Sequence, residues 1–329
     1  MPDAVAQRAR PLSAPTLDDI RQARQRIAGV AIRTPLVRLN AEAPGEVWLK
    51  LENLQPIGSF KLRGATNAMR LLPPERLERG VYTASAGNMA QGVAWGARLL
   101  GVPCDVVVPE HAPQTKLAAV ERLGARITKL PFDRWWQVLV EHQYEPLADR
   151  AFIHPVSDPA VVAGNGTIGL EVLEDLPDVE TIVVPYGGGG LSCGIAAAVR
   201  ALRAAARTYA AEVETAAPLA ASLAAGAPRE APRYTPSFVD GIGSKGVLAE
   251  MWPLARALLA GSLVSSLAEV AGGVRVLAER NRVIAEGAGA AGVAAAVAGR
   301  AGSGRIVCVV SGGNIDLAKL AVILRGEVP

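Results

Sequence analysis

Aromatic side chains are scarce in this chain: four Phe, five Tyr and five Trp among 329 residues. Half the residues are nonetheless hydrophobic, so Ala and small aliphatics must fill the interior. Basic residues are not interleaved with aromatics and the net charge is only +3, so nothing points to a nucleic-acid partner. Cysteine is equally sparse. Cys104, Cys193 and Cys308 lie far apart without a C-x-x-C pair, which excludes a disulfide frame and a zinc site and suits a reducing compartment. Each is expected to be a small core residue. The three histidines (His111, His142, His154) share no spacing with one another or with a Ser/Asp set, so they read as structural or surface residues. Long hydrophobic runs are missing too. The most apolar window, Gly287 to Ala298, lies between Glu286 and Arg300 and falls short of the about 20 residues a bilayer needs. Residues 1–15 hold no continuous apolar run, so they read as a loose tail without a signal peptide. A cytoplasmic protein with no membrane partner is expected.

The length suits two modest domains or one elaborate one. Thr16 with Asp19 marks a helix start, and Ile20, Ala23 and Ile27 share one face of that helix. Val47 to Glu52 alternates apolar and polar residues as a strand does, then Pro56 and Gly58 break the chain before a helix near Ser59. Val81–Ala84, Cys104–Val108, Ala125–Leu130, Thr181–Val184 and Arg305–Val310 read as further strands. Helices are expected over Met89–Leu100, Thr115–Leu123, Gly164–Leu173 and Leu191–Ala206, with another capped by Ser266 and Glu269 and running towards Asn281. The Ala-rich patches near 204–232 read as helix plus loop. Alternating strands and helices predict an α/β fold with mostly parallel sheets covered on both faces. Residues 80–157 are compact enough to form a small inserted domain, leaving 1–79 and 158–329 as the large one.

Four loops follow predicted strands, and in open parallel sheets such loops share the edge where ligands bind. Lys61 lies between Ser59-Phe60 and Leu62-Arg63-Gly64-Ala65. A desolvated lysine there can attack a carbonyl, although a solvated helix-start lysine fits the stretch alone. Gly187, Gly188, Gly189 and Gly190 stand between a strand and a helix. Bare backbone N–H groups and a helix N-terminus favour a phosphate, with a hinge as the plain alternative. Neither a G-x-G-x-x-G nor a P-loop pattern fits. Ser85-Ala86-Gly87-Asn88 suits a carboxylate or phenolic oxygen, or simply caps a helix. Ser311-Gly312-Gly313-Asn314 places a hydroxyl at a strand end, where it caps a helix or meets a ring nitrogen.

In this order, the segments 59–65, 85–88, 187–190 and 311–314 resemble those of the fold-type II pyridoxal-phosphate enzymes, close to serine/threonine dehydratases and serine racemase. Asn165 to Glu171, Asp240-Gly241 and Glu286 to Ala290 are similar to family segments as well. The resemblance implies two open, twisted, mostly parallel-sheet domains of the tryptophan synthase β-like kind, with pyridoxal 5′-phosphate in the cleft between them. It implies that Lys61 holds the cofactor as a Schiff base and takes the α-proton, and that Gly187–Gly190 bind the phosphate. Phe60 would line the cofactor site, Asn88 would meet the ring 3-oxygen and Ser311 the ring nitrogen. Ser85, Ala86, Gly87, Asn88 and Met89 would hold the substrate carboxylate. A small β-hydroxy amino acid, L-threonine or L-serine, would lose its β-hydroxyl as water, and the enamine formed would hydrolyse to a 2-oxo acid and ammonia, in a homodimer.

Three positions depart from the family pattern. Ala86 stands where racemase-like members carry a second serine, which argues against racemisation. Met89 replaces a usual His, which suggests a more apolar pocket and an atypical substrate. Glu212 sits where relatives bind a divalent cation, but Pro218 occupies the place of a second carboxylate, so a metal is doubtful. The chain beyond Ser311 is too short for the regulatory domain of biosynthetic threonine dehydratases, so isoleucine feedback is not expected. Alternatives are a racemase or β-replacement enzyme, or a non-catalytic nucleotide-binding module that needs no lysine-bound cofactor.

Overall fold

The computed structural model describes residues 11–329; residues 1–10 of the expected tail lie outside them. Ten strands fall into two sheets. The larger contains β1 (Leu36–Arg38), β2 (Glu46–Lys50), β7 (Thr181–Pro185), β8 (Arg207–Val213), β9 (Ser262–Ser265) and β10 (Arg305–Val309), in the order β1-β2-β10-β7-β8-β9. The smaller contains β3 (Val81–Ala84), β4 (Cys104–Pro109), β5 (Arg126–Leu130) and β6 (Ala151–Phe152), in the order β5-β4-β3-β6. Every pairing is parallel except β1 with β2. Parallel strands need crossovers, and helices supply them.

The helices are α1 (Leu17–Arg26), α2 (Lys61–Arg70), α3 (Pro74–Glu78), α4 (Asn88–Leu100), α5 (Gln114–Glu121), α6 (Phe132–Glu141) and α7 (Pro159–Asp175). Then come α8 (Gly190–Leu202), α9 (Pro218–Ala225), α10 (Trp252–Leu258), α11 (Leu267–Val276), α12 (Gly287–Val297) and α13 (Leu317–Leu324). One face of the large sheet packs on α11 and α12 through Val270, Val274, Ala291 and Val293. The other packs on α7 and α8 through Ile168, Val172, Ile195 and Val199. The small sheet is covered by α4 through Val93 and Ala97 and by α6 through Val138.

Helix α2 precedes the small sheet in sequence yet packs into its core, with Ala65, Ala68 and Met69 in one cluster with Val81 and Met89. It also abuts α7 closely. A Cβ on Gly64 would fall 2.7 Å from the Val161 carbonyl oxygen, and one on Gly164 would fall 2.7 Å from that of Arg63. The helix that opens with Lys61 is thus wedged between elements of both sheets.

Both expected capping boxes form, Thr16 with Asp19 and Ser266 with Glu269. Other expectations need correction. Helix α7 begins at Pro159 rather than Gly164, because Asp158 caps it by accepting from the Ala160 N–H at 2.8 Å. Helix α8 ends at Leu202 rather than Ala206, whereas α11 continues through a π-helical turn over Leu277–Asn281 and so runs to Asn281 as expected. The Ala-rich stretch holds strand β8. Flanked by β7 and β9, it alternates in burial only over Arg207–Ala210 and is buried throughout from Ala210 to Val213, so no clear period of two marks it. The three cysteines are free and buried.

Candidate active site

The four glycine- and serine-bearing loops meet in one cleft of about 440 Å³. It lies where β3, β7 and β10 end. Phe60, Lys61, Ser85 to Met89, Gly187 to Gly190 and Ser311 all line it, so every residue expected at the cofactor and substrate is brought together.

Lys61 is the first residue of α2, and the loop before it is fastened to the loop after β10. The Phe60 N–H donates to the Ser311 carbonyl at 3.0 Å, and the Gly313 N–H to the Gly58 carbonyl at 2.9 Å. The Lys61 Nζ donates to the Pro155 carbonyl at 2.8 Å. Burial lowers its pKa to about 8, against the upward pull of the Glu286 carboxylate. The amine is therefore half neutral near pH 8. Two residues on, Arg63 anchors the helix in a buried charge network. Its Nε and Nη2 both donate to Glu52 at 2.8 Å, and its Nη1 donates to Glu171 at 2.7 Å. Lys50 Nζ lies 2.6 Å from the other Glu171 oxygen. Two cations thus offset two carboxylates, the arrangement that buried charges require.

The glycine loop leaves β7 and enters α8, whose first N–H groups have no intrahelical acceptor. Gly189 sits at φ +97°. A Cβ on Gly188 would come within 2.5 Å of Val156, and one on Gly190 within 2.8 Å of the Val156 carbonyl oxygen. Side chains are crowded out at Gly188 and Gly190, and the loop lines the cleft at a helix N-terminus. That cradle, with a partly neutral amine in the same cleft, suits a phosphorylated aldehyde such as pyridoxal 5′-phosphate.

Asn88 Nδ2 donates to Glu286 Oε1 at 2.8 Å, and its Oδ1 accepts from Asn314 Nδ2, also at 2.8 Å. Its second N–H is left for a ring oxygen. Glu286 is raised to about 7, first by burial and then by Asp240. The sequence named Glu286, Asp240 and Gly241 only within family segments; all three line the cleft. Met89 borders the cleft, but its side chain is 1% exposed and packs into the core with Val93 and Ala65. It shapes the pocket from beneath rather than projecting into it.

The cleft wall on the small-sheet side includes His111, Lys116, Phe132 and Trp135, none of which the sequence marked. Lys116 Nζ meets Asp240 Oδ2 at 2.5 Å across the mouth. His111 is an exposed rim residue. The other two histidines, which showed no common spacing, come together: their rings stack at 4.3 Å, with Ser157 bonded to His154. Glu212 lies outside the cleft lining. Its oxygens accept from the Leu219 and Ala220 N–H groups at 2.8 Å and from Ser262 Oγ at 2.5 Å. Its carboxylate caps α9. Among the described residues, no group of three His, Cys, Asp or Glu side chains forms a metal site.

The sequence pattern of the family described as "Pyridoxal-phosphate dependent enzyme" matches residues 27–312. The chain is 40% identical to an L-threonine ammonia-lyase of Thermotoga maritima over 94% of this chain and 78% of that protein. It is 37% identical to the catabolic L-threonine dehydratase TdcB of Escherichia coli K12, over 93% and 95% respectively. The solved structure of maize serine racemase superposes with a TM-score of 0.87 at 33% identity, covering 94% of this chain and 96% of that one.

Proposed function

The chain belongs to the family of pyridoxal-phosphate dependent enzymes, and from that premise we propose that it eliminates the β-hydroxyl of a small β-hydroxy L-amino acid, L-threonine or L-serine, as water, and that hydrolysis of the released enamine takes up water again and frees ammonia, leaving a 2-oxo acid. The observation that carries this reading is the Lys61 amine, desolvated in one cleft with a glycine loop where a Cβ on Gly188 or Gly190 would collide with Val156. Bound there, the cofactor supplies an electron sink that makes the substrate α-proton removable. The protein does the rest. Lys61 in its neutral form is nucleophile and then proton acceptor at the α-carbon. The Gly187–Gly190 amides hold the phosphate. Asn88 offers its free N–H to the ring oxygen, and Phe60 borders the ring. Ser311 presents a neutral hydroxyl to the ring nitrogen, so no carboxylate holds a proton there and loss of the β-hydroxyl is favoured.

The Ser85–Met89 loop receives the substrate carboxylate. Residues 80–157 act as the substrate-binding domain, and 1–79 with 158–329 as the cofactor-binding domain. A racemase reading draws on the likeness to maize serine racemase. Ala86 argues against it, since it offers no hydroxyl beside Gly87 to serve the opposite face of the substrate. A cytoplasmic homodimer completes the proposal. The buried free thiols favour a reducing compartment, and no helix among the described residues is long and apolar enough to cross a membrane.

The test is an absorption spectrum of protein saturated with pyridoxal 5′-phosphate, with 2-oxo acid followed after L-threonine or L-serine is added. Wild type should show the visible band of lysine-linked cofactor and release 2-oxo acid, and Lys61→Ala should show neither. A wild-type protein without that band would overturn the assignment of Lys61. A band without 2-oxo acid from either substrate would overturn the substrate class.

A further inference from the structure

Between β6 and α7 the chain makes a turn, His154-Pro155-Val156-Ser157, that touches the cleft on two sides. Pro155 presents its carbonyl to Lys61 Nζ at 2.8 Å. Val156 lies against the glycine cradle, its side chain at Gly188 and its carbonyl at Gly190. His154 is 3% exposed and does not line the cleft. Its Nδ1 accepts from the Val156 N–H at 3.1 Å and from the Ser157 N–H at 2.7 Å, with Ser157 Oγ at 3.1 Å. Its Nε2 faces the Leu139 carbonyl at 3.3 Å, and His142 stacks on the ring. Two backbone donors on Nδ1 place the ring proton on Nε2. Burial holds the pKa near 3, so this neutral tautomer persists wherever the protein is folded near neutrality.

One peptide plane links these contacts. The Val156 N–H and the Pro155 carbonyl belong to the same trans amide, so they point in opposite directions. His154 holds the N–H end and Lys61 meets the C=O end. We propose that His154 is a positioning residue for Lys61 and for the phosphate cradle, acting through the Pro155–Val156 peptide unit. An acceptor at one end of an amide also strengthens the carbonyl at the other. The proposal rests on the Lys61 reading above.

The test compares His154→Phe, which keeps a ring but has no acceptor, with His154→Asn, whose Oδ1 can stand where Nδ1 stood. The first readout uses cofactor-free protein: the pH profile of Lys61 modification by trinitrobenzenesulfonate, read by peptide mass. A carbonyl acceptor favours the ammonium, so its loss should lower the midpoint, by about one pH unit or tenfold in acidity. The charged groups facing the amine, Glu286 and beyond it Asp240 and Lys116, are unchanged in both variants. The second readout is release of pyridoxal 5′-phosphate, expected about tenfold faster in His154→Phe. His154→Asn should stay within about twofold of wild type in both. Equal behaviour of the two variants, whether both impaired or both normal, overturns the proposal. If His154→Phe does not fold, a shifted midpoint in His154→Asn overturns it and an unshifted one supports it. The Lys61 midpoint is read without cofactor, so it stands apart from whether the wild type shows a lysine-linked band.

Discussion

At Glu286, burial and the Asp240 carboxylate push the pKa up to about 7, while the Asn88 amide pulls it down. The sign of the stability effect follows. Unfolded, this carboxyl ionises above its ordinary value of 4.5; folded, it holds its proton until about pH 7. Its contribution to stability therefore falls between those two values and stays low above the upper one. Glu286→Gln removes that fall. In cofactor-free protein the variant should gain on wild type from pH 5 to pH 8, by up to about 3 kcal/mol. Urea denaturation at four pH values checks this, and parallel stability curves for the two proteins would refute it. Lys61 and the four glycines were legible in the sequence because each sits in a local pattern with its own chemistry. Glu286 was not assigned to the site, because its partner Asn88 is 198 residues away. Nothing in the local sequence marks Pro155 as a carbonyl aimed at an amine.

Helix α2 is held from below by Arg63, Glu52, Glu171 and Lys50, all at most 6% side-chain exposed. Arg63→Met leaves Glu52 facing no cation within contact and weakens the hold on Glu171. The expected cost is about 3–5 kcal/mol, read by chemical denaturation; a loss under about 1 kcal/mol would show the network to be dispensable. Elements with a local signature were readable, as the two capping boxes and the alternation of Val47 to Glu52 show. Strand β8 was not, since its second half, Ala210–Val213, is buried on both faces and shows no period of two. Strand β6 has only two residues, too few to display any period. Helix α6 went unremarked in the sequence, although it supplies Phe132 and Trp135 to the cleft wall.

At the scale of the molecule, the small sheet meets the large one across the cleft, and the Lys116–Asp240 pair spans its mouth. The pair is partly exposed, so Lys116→Ala should change stability by no more than about 1 kcal/mol. Its effect belongs to opening. Amide hydrogen exchange over Ser85–Asn88 should speed up in the variant, and the difference should vanish in 1 M salt, where the screening length is about 3 Å. An unchanged exchange rate at low salt would show that the pair does not restrain the cleft. The parallel α/β character was legible from the alternation of strands and helices, but the strand order was not, because it depends on partners far apart in sequence. Strand β10 lies between β2 and β7, pairing Val309 with Lys50 and Cys308 with Val183. During synthesis, then, the middle of the larger sheet stays open until residues 305–309 leave the ribosome, and the Lys61 loop lacks its Ser311 and Gly313 tethers until then. However early Lys61 is made, the growing chain carries an unfinished vitamin site until its own residues 305–313 emerge to close it.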